Sequence, residues 1–264
     1  MQNRVAFLLI FAAATLGAAP AAAEDEFCVD RPGANTPPCT LAPGRLMAEV
    51  SAVDWTLDRS AEERTDTILA ADLLLRLGLA DATEARLGFS PYGHSRTRNR
   101  ITDAIGSNSG VGDVTIGLRH GLAGRNGPVA VQVFLTLPTG SQPVGDGTWS
   151  AGILVPLEFT LSEGITFAAT PEIDAAANES GDGRHLSYGS AAGIAFALGD
   201  TISAATEFIA TRDDDPQDPS TTLLLSQSLA WQLGGNAQFD MQGLVGLNRA
   251  TPDLQLIVGV ARLF

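Results

Sequence analysis

From Gly44 to Phe264 the chain repeats one pattern, in which about ten residues carry an apolar side chain at every second position and are followed by a turn. Leu223, Leu225, Leu229, Trp231 and Leu233 alternate with Ser226, Ser228 and Gln232, and Phe239, Met241, Val245 and Leu247 alternate with Gln238, Asp240 and Gln242. A period of two places one set on each face of an extended strand. About twelve such segments can be counted, at 45–56, 65–79, 82–93, 111–122, 128–138, 147–162, 164–176, 185–199, 200–211, 220–233, 236–248 and 253–264. Their length suits tilted strands crossing a hydrocarbon layer.

A secreted β-sandwich would also alternate, with the apolar face turned inward. Three features favour a membrane barrel instead. The connections alternate between short (Leu79 to Ala82, Gly121 to Pro128, Ser162 to Gly164, Gly199-Asp200, Gly234 to Asn236) and longer polar ones, above all His94 to Gly110 and Arg212 to Ser220. The last strand ends on Phe264 after Leu254, Leu256, Val258 and Val260, with Arg262 the one departure, and looks like an outer-membrane assembly signal. Charged residues also stand midway along the strands. The expected fold is therefore all-β, a transmembrane antiparallel up-and-down barrel of about twelve strands with both termini periplasmic.

The N-terminus agrees with that address. Met1 to Ala23 has an Arg, an apolar run from Val5 to about Leu16, and Ala21-Ala22-Ala23 before Glu24, the layout of a cleavable signal peptide. Residues 24–43 form a separate segment carrying Cys28 and Cys39, the only cysteines, and an oxidising periplasm favours a disulfide between them. The segment is expected either to tuck into the periplasmic mouth or to hang free. The barrel is expected over 44–264, in the outer membrane of a Gram-negative cell.

In a barrel the apolar face must meet lipid, because a charge there costs about 2–4 kcal/mol at the midplane. The polar face then lines the lumen, with Glu49, Asp72, Arg76, Glu84, Arg86, Asp113, Arg119, Glu158, Glu172, Asp174, Glu207 and Asp240 as its candidate lining residues. These charges could pair across strands, or could form a path favouring cations and neutral molecules. Twelve strands enclose more than the side-chain-filled lumen of eight and less than the channel of sixteen.

The formal net charge is -14 and includes Arg4, so the mature chain carries -14 - 1 = -15. That disfavours nucleic acid as a partner. No Gly-x-Ser-x-Gly elbow occurs, and Ser95 beside His94 is only an adjacency. Arg212 to Pro219 is acidic but lacks the spacing of a calcium loop, and two cysteines make a poor metal site. No enzyme activity, cofactor or metal is expected. Arg96, Arg98 and Arg100 could meet lipopolysaccharide phosphates.

Gly110-Val-Gly-Asp-Val-Thr-Ile-Gly-Leu-Arg-His-Gly121 and Val133-Phe-Leu-Thr-Leu-Pro-Thr-Gly140 resemble the outer-membrane barrels of the MetA-pathway of phenol degradation family, over about Gly44 to Phe264. The resemblance implies a barrel involved in uptake of aromatic or other hydrophobic small molecules. The expected function is passive passage of small solutes. Its alternatives are a structural or adhesive surface barrel with a closed lumen, and an outer-wall lipid hydrolase. The expected partners are outer-membrane lipid and lipopolysaccharide, the assembly machinery and small solutes.

Overall fold

The computed structural model describes residues 27–264, so the signal segment 1–23 lies outside the described residues. Fifteen strands follow in order: β1 Leu46–Arg59, β2 Glu63–Ala80, β3 Thr83–Phe89, β4 Tyr92–Asn99, β5 Ile105–Gly110, β6 Val114–Gly121, β7 Ala130–Leu137, β8 Ser150–Leu154, β9 Leu157–Ser162, β10 Ile165–Ala177, β11 Arg184–Ala197, β12 Ile202–Asp213, β13 Ser220–Gln232, β14 Ala237–Gly246 and β15 Leu254–Leu263. All strand pairings are antiparallel, and β1 pairs both β2 and β15, which closes the sheet on itself. Three staves are interrupted. β3 gives way to β4 at Ser90-Pro91, β5 to β6 at residues 111–113, and β8 to β9 at Val155-Pro156. Joining each broken pair gives a closed barrel of twelve staves. Proline cannot donate to a ladder, which accounts for two of the breaks.

The faces are sorted as a lipid solvent demands. Leu225, Leu229 and Trp231 stand exposed on the outer wall, whereas Ser226 and Ser228, on the same strand, are buried inside. An outer belt of Leu, Ile, Val, Phe and Trp surrounds a polar interior. Closure of the ladder leaves no open sheet edge to the hydrocarbon layer. Alternation is reset within β1 and β2, which bulge together between Ser51 and Val53, where Ala71 takes a positive φ of 58°. Below the bulge Ser51 and Asp72 point inward, and above it Asp54 and Leu69 do so.

The structure corrects one expectation. Residues 94–110 do not form a loop: Tyr92–Asn99 and Ile105–Gly110 are paired strands joined by a tight turn. Together with the upper ends of β1 and β2 they raise a flap above that rim. Cross-strand hydrogen bonds from Thr65 to Thr97 (2.9 Å) and Thr67 to Ser95 (3.2 Å) fasten its inner face. A strand standing clear of the bilayer needs no apolar face, so the period that marks the other strands is missing there.

The turn end between residues 100 and 104 and the loop 214–219 stand at the rim opposite both ends of the barrel domain. Protease added to intact cells should cut there and leave the turn at 233–236 whole until the outer membrane is breached. The reverse order, read on immunoblots with tags in each position, would invert the orientation.

Candidate functional site

Residues 27–45 enter the barrel from the short-turn end, cross the lumen and return to start β1. A disulfide joins Cys28 to Cys39 and closes the crossing stretch into a ring. The entry is seated on a small apolar cluster of Leu41, Met47, Ala261 and Leu263, against which Phe27 and Val29 pack. The wall is cut back where the segment touches it. A Cβ on Gly78 would lie 2.0 Å from the Ala42 carbonyl oxygen, and one on Gly259 would lie 2.3 Å from a guanidinium nitrogen of Arg31.

The centre of the contact is Asp30. Its carboxylate lies 2.9 Å from Arg76 and 2.8 Å from Arg119, and it also pairs with Arg86. Arg76 in turn reaches Glu84 at 2.8 Å and Glu49 at 3.1 Å, and Arg86 reaches Glu84 at 2.9 Å. The cluster thus holds three guanidiniums and three carboxylates, and the wall by itself supplies only two of the carboxylates. Burial pushes the Asp30 carboxyl up, but Arg119, Arg76 and Arg86 outweigh it and hold the group well below its usual range. Backbone groups complete the net. Glu49 accepts from the amides of Asp30 (3.1 Å) and Arg31 (3.0 Å), Arg76 donates to the Cys28 carbonyl (2.7 Å), and Arg119 donates to that of Cys39 (3.1 Å).

Beyond Asp30 the ring spans to the far wall. Arg31 pairs with Asp240 at 2.8 Å, and its carbonyl accepts from Gln238 at 2.7 Å. At the tip, Glu207 accepts from the amides of Ala34 and Asn35, each at 2.9 Å, and Thr36 donates to the Thr170 hydroxyl at 3.0 Å. Of the twelve side chains the sequence assigns to the lumen, Glu49, Arg76, Glu84, Arg86, Arg119, Glu207 and Asp240 touch this segment or the ion cluster that seats it.

The remaining five lie outside that ion cluster. Asp72 accepts a hydrogen bond from Ser90, and Asp113 holds the β7–β8 loop by accepting from the amides of Gly140 and Asp146, both at 2.7 Å. Glu158 stands at the short-turn mouth, paired in register with Ala168, several residues below Glu172 and Asp174. Those two share a cavity of about 250 Å³ with Ala34, Thr36, Thr170, Gly189 and Ala191. On the other side of the Glu207 anchor lies a cavity of about 240 Å³ lined by Asn35, Glu158, Gly193, Ala195, Ser203 and Ala205. Both lie against one stretch of wall. There β11 presents Gly189, Ala191, Gly193 and Ala195 inward, too small to fill the lumen.

Sequence reasoning missed Asp30 and Arg31, the two charges that the ring carries into the lumen. Their position inside a cysteine-closed stretch, two and three residues past Cys28, was the available signal. The histidines are also placed. Ser95 faces away from His94, whose Nδ1 is 2.7 Å from Ser109 Oγ. His120 meets Thr83 at 2.9 Å, and His185 lies 2.7 Å from Asp213 at the long-loop rim. No group of three or more metal-ligating side chains occurs among the described residues.

With that geometry in hand, the comparisons are specific. The family model described as "Putative MetA-pathway of phenol degradation" matches residues 29–263. The chain belongs to this family. The match begins at Val29 and not at Gly44, so it takes in the crossing segment as well as the barrel. No curated protein matches the sequence. Among solved structures, an outer membrane channel from Pseudomonas putida F1 superposes with a TM-score of 0.71 at 18% identity, covering 88% of this chain and 99% of that one. The translocator domain of autotransporter NalP from Neisseria meningitidis gives 0.52 at 14% identity, covering 83% of this chain and 88% of that chain. The β domain of the Bordetella autotransporter BrkA gives 0.53 at 12%, covering 82% and 98%. The family member described here is an outer-membrane β-barrel.

Replacing Asp30 with Asn should leave the three arginines with an uncompensated charge, at a cost of about 3–5 kcal/mol for a broken buried pair. Denaturant unfolding in detergent micelles should show that loss, and residues 27–45 should become open to protease. Because the folded Asp30 titrates below its usual range, its contribution is complete above that range and lost only as pH falls through the depressed value. The loss of protection caused by Asp30→Asn should therefore be the same at neutral pH as near pH 4.

Proposed function

We propose that the barrel is a passive channel for small solutes, with its path running between the tip of the crossing ring and the wall formed by β10, β11 and β12. The observation that carries this reading is the pair of cavities flanking the Glu207 anchor along a wall of glycine and alanine. The contact of Ala34 and Asn35 with Glu207 lies between them. The constriction is thus made by one end of a covalently closed ring held against a single wall side chain, Glu207.

The chemistry of the path suggests its preference. Glu207, Glu172 and Asp174 present carboxylates, and Thr170, Ser203 and Thr36 present hydroxyls. A low-dielectric wall of one sign concentrates ions of the other, which favours cations and neutral molecules over anions. The family's description points to small aromatic compounds as candidate solutes, and each cavity is near the lower end of the size range for small-molecule sites.

The ring also supports a second reading, a closed surface barrel whose lumen serves only to hold the fold. Planar-bilayer conductance separates the two. The wild type should conduct, and Glu207→Gln, which weakens the tip contact without touching the Asp30 cluster, should raise single-channel conductance. Replacing Glu172 with Gln and Asp174 with Asn together should shift the reversal potential in a salt gradient towards neutrality, less so near 1 M salt, where the Debye length is about 3 Å. A barrel that conducts neither with residues 27–43 present nor with them deleted is the closed one.

A further inference from the structure

The flap above the rim carries a second, unrelated feature on its outer face. In register, Arg59 of β1 stands opposite Arg64 of β2, and Arg64 stands opposite Arg98 of β4. Three arginines therefore form one rung across three adjacent strands. The rung below it includes Asp66 opposite Arg96, the next Ile68 opposite Trp55 and His94, and the next Ala70 opposite Tyr92. Ile68 and Tyr92 belong to the exposed outer belt. The face is settled by the alternation. Thr65, Thr67, Ser95 and Thr97 bond to each other on the inner side, so their neighbours Arg64, Asp66, Arg96 and Arg98 face out.

Like charges directly opposite each other destabilise a sheet. Neighbouring strands are about 4.8 Å apart and successive outward residues about 7 Å, so four guanidiniums share a small patch. The carboxylates that pair with them are Asp66, 2.9 Å from Arg64, Asp103, 2.7 Å from Arg98, and Asp253, 3.1 Å from Arg59; Asp58, Glu62 and Glu63 stand beside Arg59 and Arg64 in the same hairpin. Each of the paired carboxylates is already engaged by one arginine, so Arg96 stands opposite a carboxylate that Arg64 already holds. The basic rung also sits two rungs above Trp55 and Ile68. Aromatic side chains mark the edge of the hydrocarbon layer in membrane barrels.

We propose that this patch binds the phosphorylated disaccharide headgroup of lipopolysaccharide, with Arg59, Arg64, Arg96 and Arg98 meeting its phosphates while the acyl chains lie along the belt below. Planar guanidiniums match phosphate geometry in pairs. A ligand carrying two phosphates can meet the guanidinium N–H groups that one carboxylate per arginine leaves free, and those of Arg96. The occupant is fixed by continuity with the lipid-facing wall: a free anion would use the arginines but not the belt. The proposal rests on the flap lying at the outer leaflet and is independent of whether the lumen conducts.

Native mass spectrometry of the purified full-length barrel in detergent, titrated with bis-phosphorylated lipid A, tests it. The wild type should bind, and Arg64→Gln with Arg98→Gln should weaken binding by about tenfold or more, as expected when charge-assisted contacts to phosphate are lost. Arg96→Gln alone, which breaks no ion pair, should weaken it measurably, and Arg212→Gln on the opposite wall should not. Heat-modifiable gel mobility confirms that each variant is folded. Equal binding of lipid A stripped of both phosphates, or unchanged binding by the double and Arg96 variants, overturns the proposal. Phosphatidylglycerol binding as tightly as lipid A, or inorganic phosphate at millimolar concentration competing lipid A away completely, overturns the assignment to this headgroup.

Discussion

The pairing of Asp30 with Arg76, Arg86 and Arg119 is the contact on which the interior of this barrel depends. The wall alone offers three guanidiniums and two carboxylates at one level of a low-dielectric lumen, and that arrangement is unbalanced. Asp30 arrives from outside the barrel sequence and neutralises it. A buried ion cluster contributes little net stability against an apolar filling, but breaking one is costly. Its effect here is positional: it fixes where the segment enters, and the Cys28–Cys39 ring then fixes how far the segment reaches.

That reach shapes the lumen. One side of the ring is bound tightly to β1, β2, β3 and β6, with Arg31 tied to Asp240 on β14. The other side touches β10 and β12 only through Thr170 and Glu207. Large charged side chains fill the first half, and glycine and alanine line the second. The asymmetry leaves space along β10 to β12. A narrow path with a polar wall is thus the joint product of an inserted segment and an undersized stretch of strand.

The outer-face pattern was legible in the sequence because the bilayer enforces it. Wherever a strand crosses hydrocarbon, alternate residues must be apolar, and the segments holding Leu225, Trp231 and Val258 declare themselves. Where the strands rise clear of lipid the constraint lapses. Residues 94–110 therefore read as a loop although they pair strand to strand, with Thr and Ser in place of an apolar face. The ends of the proline-broken staves were blurred for a related reason: Pro156 interrupts the ladder without disturbing the apolar count.

The sequence by itself pointed to a barrel of about twelve staves and to the apolar face of the lipid-crossing strands, because a period of two, alternating short and long connections and a terminal aromatic together suit a lipid solvent better than a sandwich core. It did not determine which inward charges meet. Asp30 and Arg119 are far apart along the chain, and their contact exists only because the closed wall brings β2, β3 and β6 to the place where the ring crosses. The row Arg59, Arg64 and Arg98 is equally invisible in one dimension, because register between strands, not order along them, sets three like charges side by side. Faces are local and follow from each strand's own composition; neighbours across a lumen or across a sheet are a property of closure.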